Sequence, residues 1–247
     1  MRKMDKIKAL KAEIEKTVEK FVCRTQSIFT LKDVKKSLSL PSQQAKFIES
    51  AIEEVLKSNP CIFYNETFRD CRMRADYFYK ANFLLIPDEE EMEKGILIPG
   101  HRFIPFSGID VLPFQCKLQL PDGSAIPMKI VHERLEEMIP YHNLLGREEI
   151  IGYTLLNDSS NERAFKREDP TKNIMAFRVF DMKNIYALYD FKQGDAFVAT
   201  VLNWKKGIYS IEYFPSRHLK NIPNTQPELT ISWKMPSMPY SSVLKKR

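Results

Sequence analysis

Five side chains between residues 132 and 142 form the closest grouping of histidines and carboxylates in the sequence: His132, Glu133, Glu136, Glu137 and His142. Imidazole and carboxylate both bind zinc, and His132 and Glu136 would share one face of a helix over residues 132–138. The helical motif of zinc proteases needs a second His four residues after the first, and Glu136 stands there instead. We therefore expect exposed helix charges here rather than a metal.

Motifs of nucleotide binding and of covalent catalysis are absent from the sequence. Its 8 glycines form neither a phosphate loop followed by Lys-Ser or Lys-Thr nor a Gly-x-Gly-x-x-Gly turn. There is no Gly-x-Ser-x-Gly elbow, and the four cysteines lie in no recognisable catalytic frame: Cys23, Cys61, Cys71 and Cys116. The carboxylates of Glu89–Glu93 are explained by the positive end of a short helix. We expect no catalytic residue, metal or cofactor.

Two segments combine cations with aromatic residues, which together bind phosphates and stack on bases. One follows Asn65, and the other is a predicted hairpin tip near residue 204. The aromatics of the first segment also alternate as strand residues do, so core packing of half of them is an alternative. The sequence predicts these nucleic-acid-binding residues: Arg69, Arg72, Arg74, Tyr77, Lys80, Trp204, Lys205 and Lys206.

Three helices would precede the first of these segments. Apolar residues recur at helical spacing over 4–23, Thr30 is placed to cap a short second helix, and Ser42 is placed to cap a third that ends near Ser58. A β-type run over 61–64 and a second arm over 71–79 then predict a hairpin.

Three helices followed by a hairpin are the element order of a winged helix. The stretches FTLKDVKKSL, FIESAIEEVLKSNP and CIFY resemble the winged-helix modules at the N-terminus of bacterial RNA polymerase delta subunits. The resemblance implies a winged-helix module over about residues 4–80, and similar modules bind either DNA or protein. In a winged helix the third helix enters the major groove. Here it carries Glu49, Glu53 and Glu54, which phosphate would repel, so either the hairpin and first helix bind nucleic acid or the module docks on a protein.

The remainder predicts an α+β chain of two further domains, at 81–165 and 166–247. In the first, Asp88 and Gly95 would cap a short helix, and residues 115–120 would form a hairpin with 125–130. The polar stretch 157–172 predicts an exposed linker.

The last domain is predicted to be β-rich. A hairpin pairs 197–202 with 208–213, and Gln193-Gly194-Asp195 is a turn typical of small barrels. We expect an OB-like or SH3-like β-barrel with an extended C-terminal arm over 216–247.

Charge and hydropathy limit the partners. The net charge is +6, with basic residues in excess before residue 81 and after 165 and acidic residues in excess between them. Basic regions attract polyanions, although the acidic middle could instead neutralise a basic end. There is no apolar run long enough for a membrane span and no secretory signal, which predicts a cytoplasmic protein. The first hypothesis is a non-enzymatic nucleic-acid-binding protein. The alternatives are a protein–protein adaptor and an enzyme of unfamiliar type using residues 132–149.

Overall fold

The computed structural model describes residues 3–25, 28–37, 45–142, 147–165 and 172–219. These residues form two compact units that divide between Tyr77 and Phe78. Both units mix helices and strands, as the sequence predicts, and the long helices of the first lie near the N-terminus. None of the helices in the described ranges is both long enough and apolar enough to cross a membrane.

The first unit contains three helices, a three-stranded sheet and a short fourth helix. Its elements are α1 (Lys3–Arg24), β1 (Phe29–Thr30), α2 (Leu31–Ser37), α3 (Ala45–Ser58), β2 (Ile62–Asn65), β3 (Asp70–Met73) and α4 (Arg74–Phe78), of which the last residue belongs to the second unit. The antiparallel sheet has the order β1-β3-β2, so the strand between α1 and α2 joins the far arm of the hairpin.

Apolar spacing explains this arrangement. Ile14, Val18 and Val22 repeat every four residues on α1 and are buried in one core with residues of α3 and the sheet. Asp33 accepts hydrogen bonds from the backbone N–H and hydroxyl of Thr30, at 2.8 Å each, and so fixes the start of α2. The second cysteine of the hairpin, Cys71, is a buried free thiol.

The second unit contains two sheets and several short helices. Its elements are β4 (Asn82–Leu85), α5 (Glu89–Lys94), β5 (Ile96–Leu97), β6 (Lys117–Gln119), β7 (Met128–Arg134), α6 (Leu135–Met138), α7 (Arg147–Asn157), α8 (Asn161–Ala164), β8 (Ile174–Asp181), α9 (Lys183–Tyr189), β9 (Ala196–Asn203), β10 (Ile208–Phe214) and α10 (Ser216–Leu219). One sheet has the order β4-β9-β10-β6 and the other β5-β8-β7.

The barrel expected for residues 166–247 is not formed by the described residues, because both of these sheets are open. The hairpin of β9 and β10 is present as predicted, with Gly207 in the left-handed conformation at its tip. Its outer neighbours, β4 and β6, come from the predicted middle region. Each sheet therefore combines strands from both predicted domains. The arm over 216–247 lies outside the described residues except for α10.

Two local predictions in the middle region hold only in part. Residues 115–120 and 125–130 meet only at a single bridge between Gln119 and Ala125, since β6 pairs in parallel with β10 and β7 pairs with β8. The helix expected over 132–138 begins at Leu135, because residues 128–134 extend as β7 beside the apolar strand β8.

Part of the predicted linker is a buried structural element. The Asn161 side chain is 1% exposed and bonds to both the N–H and the carbonyl of Ala176 on β8, at 2.7 and 2.9 Å. Asn157 accepts from the N–H of Arg178 at 3.0 Å. The two amides thus bond to backbone groups of β8 on the edge that β5 covers only at Phe180 and Asp181, and buried backbone groups require such partners.

Candidate binding surface on the first unit

Every glutamate of helix α3 is paired with a cation of the first unit. Glu49 bonds to Lys35 of α2, and Glu54 lies 3.2 Å from the amine of Lys11 on α1. Glu53 lies 3.1 Å from both Lys57 and Arg69. Four cations of the first unit are therefore engaged by the carboxylates of α3: Lys11, Lys35, Lys57 and Arg69.

This pairing lowers the pKa values of two of the glutamates. Hydrogen bonding to Lys57, together with the Tyr64 hydroxyl, lowers the pKa of Glu53 below its usual value. The hydrogen bond from Lys35 likewise lowers the pKa of Glu49. Both carboxylates are therefore ionised at neutral pH, and α3 presents a surface of alternating, mutually compensated charges.

The three predicted arginines of the hairpin lie in different environments. Arg69, at φ +53°, is exposed at the end of the turn and paired with Glu53. Arg72 is exposed on β3 and forms no ion pair with a described residue. Arg74 is half-buried, its Nε donates to the carbonyl of Ile62 at 3.0 Å, and burial lowers its pKa. Arg74 therefore holds the base of the hairpin together, and of the three only Arg72 combines exposure with the absence of a carboxylate partner among the described residues.

Aromatic side chains flank these arginines. The Tyr77 ring stacks on Phe63, with centroids 4.3 Å apart and planes at 13°, so one of its faces is already covered. Phe68 lies in the turn between β2 and β3 and is 76% exposed. It has the largest fractional exposure among the described large hydrophobic side chains. The turn also carries Asn65, whose side chain accepts from the N–H groups of Thr67 and Phe68 and so orders it.

The remaining predicted site residues belong to the second unit. Trp204 is 4% exposed, so the expectation that it stacks on a base is wrong: the indole is part of the core. Lys205 and Lys206 follow it in an exposed turn and form no ion pair with a described residue. The ammonium of Lys80 lies 5.5 Å from the ring centre of Tyr79. Its backbone N–H donates to Val201 of β9 at 2.9 Å.

The grouping around His132 is dispersed in the structure. His132 is exposed on β7, whereas His142 is buried, and no set of described residues could hold a metal ion. His142 instead meets His101, with ring centroids 5.1 Å apart, which the sequence separation of the two residues did not reveal. Burial lowers the pKa of both rings, that of His101 to about 3.

A cavity beside His142 is too small for a substrate. It measures about 20 Å³ and is lined among others by Met138, Tyr153 and Thr154, which leaves room for about one water molecule. The region proposed for an unfamiliar enzyme therefore gains no support from this cavity.

Comparisons with known proteins add nothing to this geometry. No protein-family model matches the chain, and no match is found among curated proteins or solved structures. Function is therefore inferred from the chain's own residues.

Proposed function

We propose that this chain is a non-catalytic adaptor whose first unit is a winged-helix-like module that docks on a protein partner. The observation that carries the proposal is the pairing of Glu49, Glu53 and Glu54 of α3 with cations from its neighbours. A helix lined with carboxylates repels phosphate, while a surface of compensated charges suits a protein partner with both signs of charge.

The winged-helix assignment is supported by the order of the elements. A short strand stands between the first two helices, and it pairs with the last strand of the hairpin to give the order β1-β3-β2. We infer that the turn between β2 and β3 corresponds to the wing of such a module.

The exposed Phe68 is the proposed anchor of the interface. Aromatic side chains that enter a pocket on the partner supply a large share of binding energy, and surrounding polar contacts exclude water. Phe68 is ordered by the Asn65 bonds and lies two residues from Glu66, which pairs with Lys57 at 3.4 Å. We expect a partner with an apolar pocket inside a charged rim.

The test compares nucleic-acid and protein binding of the same chain. The chain is incubated with extract of its source cells, with and without nuclease treatment. Retained proteins are quantified for the native chain, for Phe68→Ser and for the matched control Tyr79→Ser, an exposed aromatic at 58% in the second unit. We expect one stoichiometric partner that Phe68→Ser loses and Tyr79→Ser keeps. Retention that is unaffected by Phe68→Ser, or that disappears on nuclease treatment, would contradict the proposal.

Nucleic-acid binding remains the second candidate, favoured by the exposed predicted cations that form no ion pair with a described residue: Arg72, Lys80, Lys205 and Lys206. It predicts weak binding that depends steeply on salt and little on sequence. Anisotropy titrations with duplex and single-stranded oligonucleotides at several salt concentrations test it. If this candidate holds, replacing Lys205 and Lys206 by Ala lowers the salt slope by roughly 1 per lost phosphate contact.

A further inference from the structure

Strand β7 lies at an edge of its sheet, and no described strand pairs with its outer side. The bonds from Asp181 N to Pro127 O and from Leu135 N to Asn173 O show that odd-numbered residues of this segment bond inward to β8. In an antiparallel pair inward and outward residues alternate. The outward backbone groups therefore belong to the even-numbered residues: Met128, Ile130, His132 and Arg134.

Apolar side chains are exposed beside this edge. Ile130 on β7 is 48% exposed, and Ile174 on the neighbouring strand is 63% exposed. A seven-residue edge strand with outward N–H and carbonyl groups is a template for pairing with another strand. Its charged residues decide which strand fits.

We propose that a second copy of this chain pairs with β7, antiparallel, across a two-fold axis that passes through Val131. Outward residues of one copy must then face outward residues of the other. Ile130 lies opposite the partner's His132, and Met128 lies opposite the partner's Arg134. The same register places Lys129 opposite the partner's Glu133, and the two-fold axis repeats this contact.

Charge complementarity selects the second copy as occupant. Directly opposed charges of opposite sign stabilise an antiparallel pair, and like charges destabilise it. A shift of two residues in either direction would set Val131 opposite a charged residue and abolish both contacts. A strand that is complementary to itself in one register is suited to an isologous interface, in which the same patch is used twice.

The dimer joins two three-stranded sheets into one continuous sheet. Pairing of a single strand on each side buries less than the roughly 1,200 Å² of a stable interface. We therefore expect reversible association that depends on concentration. This inference does not depend on the adaptor function, because it concerns the second unit and is measured without a partner.

The experiment uses sedimentation velocity on the full chain and on two single variants. Lys129→Glu and Glu133→Lys each create two like-charge contacts across the axis, and each is expected to weaken association by roughly tenfold or more. In an equimolar mixture, a dimer of one variant with the other restores opposite charges at both contacts: the introduced carboxylate faces the introduced amine, and the two unchanged side chains face each other. The mixture is therefore expected to regain the association of the native chain.

Further variants separate pairing from folding. Lys129 also bonds to Asp181 at 3.0 Å, and Glu133 bonds to Lys94 at 2.7 Å. Each variant therefore loses an ion pair within the monomer, and thermal melts establish that both variants are folded. Ile130→Pro removes an outward N–H that β8 does not use, and it is expected to abolish association while the fold persists.

Three results of the sedimentation experiment would overturn the proposal. They are a native chain that stays monomeric up to its solubility limit, variants that associate as strongly as the native chain, and a mixture no stronger than its components. A monomer whose Ile130 and His132 amides are protected from hydrogen exchange would show that another segment of the chain covers the edge, which also overturns it.

Discussion

The two units hold glutamates in opposite ways. In the first, Glu53 is partly exposed and shares its charge among Lys57, Arg69 and the Tyr64 hydroxyl, all at the surface. In the second, Glu91 is completely buried and bonds to the Arg102 guanidinium at 3.1 and 3.2 Å and to the N–H of Ile98 at 2.6 Å. Exposed pairs contribute little to stability and can exchange partners, whereas a buried carboxylate that loses its partners is costly.

This difference separates exposed ion pairs, which can exchange partners at low cost, from a buried network that is costly to disturb. Glu91 also accepts from the N–H of Asp88, which in turn caps α5 by accepting from the N–H of Glu91 at 2.8 Å. One side chain therefore connects the start of α5, the residue Ile98 that follows β5 and the helical turn that carries Arg102. The carboxylates of α3, by contrast, bond to side chains that are exposed or half-exposed.

The largest expected effect is that of Glu91→Ala. It leaves the Arg102 cation and two backbone N–H groups without their acceptor, and we expect a loss of about 3–5 kcal/mol in the free energy of unfolding. Urea unfolding measures it, with the exposed Glu90→Ala as control, expected within about 0.5 kcal/mol of the native chain. Equal effects of the two substitutions would remove the contrast between the units.

A smaller loss is expected from Asn161→Ala, at about 2–3 kcal/mol. The substitution leaves the N–H and carbonyl of Ala176 and the carbonyl of Thr154 without the amide that bonds them. The exposed Asn184→Ala is the control and should change the unfolding free energy little. If Asn161→Ala behaves like the control, the polar stretch after α7 is not a structural part of the sheet.

The buried histidines predict a loss of stability in acid. The folded-state pKa of His101, about 3, lies below the roughly 6.5 of an unfolded histidine, so the unfolded chain binds the proton more tightly. Stability therefore falls as the pH drops below about 6.5, by about 2 kcal/mol for this group between pH 7 and 5. Urea unfolding at both pH values should show a smaller decrease for His101→Gln than for the native chain, while the exposed His132→Gln should leave the decrease unchanged.

The smallest effect is expected from Glu53→Gln. It removes a surface ion pair and should cost less than about 1 kcal/mol, and added salt should reduce the difference. The same urea titration measures it at low and high salt. A loss as large as that of Glu91→Ala would show that the surface of α3 is a rigid structural element and would weaken its assignment as a docking surface.

Local patterns predict much of the first unit. The four-residue spacing of Ile14, Val18 and Val22, the Thr30–Asp33 cap and the run at β2 are each contained in a short window, and each element forms where its pattern predicts it. The exposure of Arg72, Lys205 and Lys206 was also predictable from sequence, because charged side chains on strand edges and in hairpin turns lie mostly at the surface.

Contacts between residues that are far apart in the chain depend on the tertiary structure. Tryptophan is a residue type that stacks on bases, but the packing around the β9–β10 turn buries Trp204. The pairing of β6 with β10 and the meeting of His101 with His142 join residues far apart in sequence. Periodicity specifies which face of an element is apolar, and not which other element covers that face. The helices, caps and turns are thus determined by the sequence read locally, while sheet order, burial and the pairing of charges depend on how the whole chain packs.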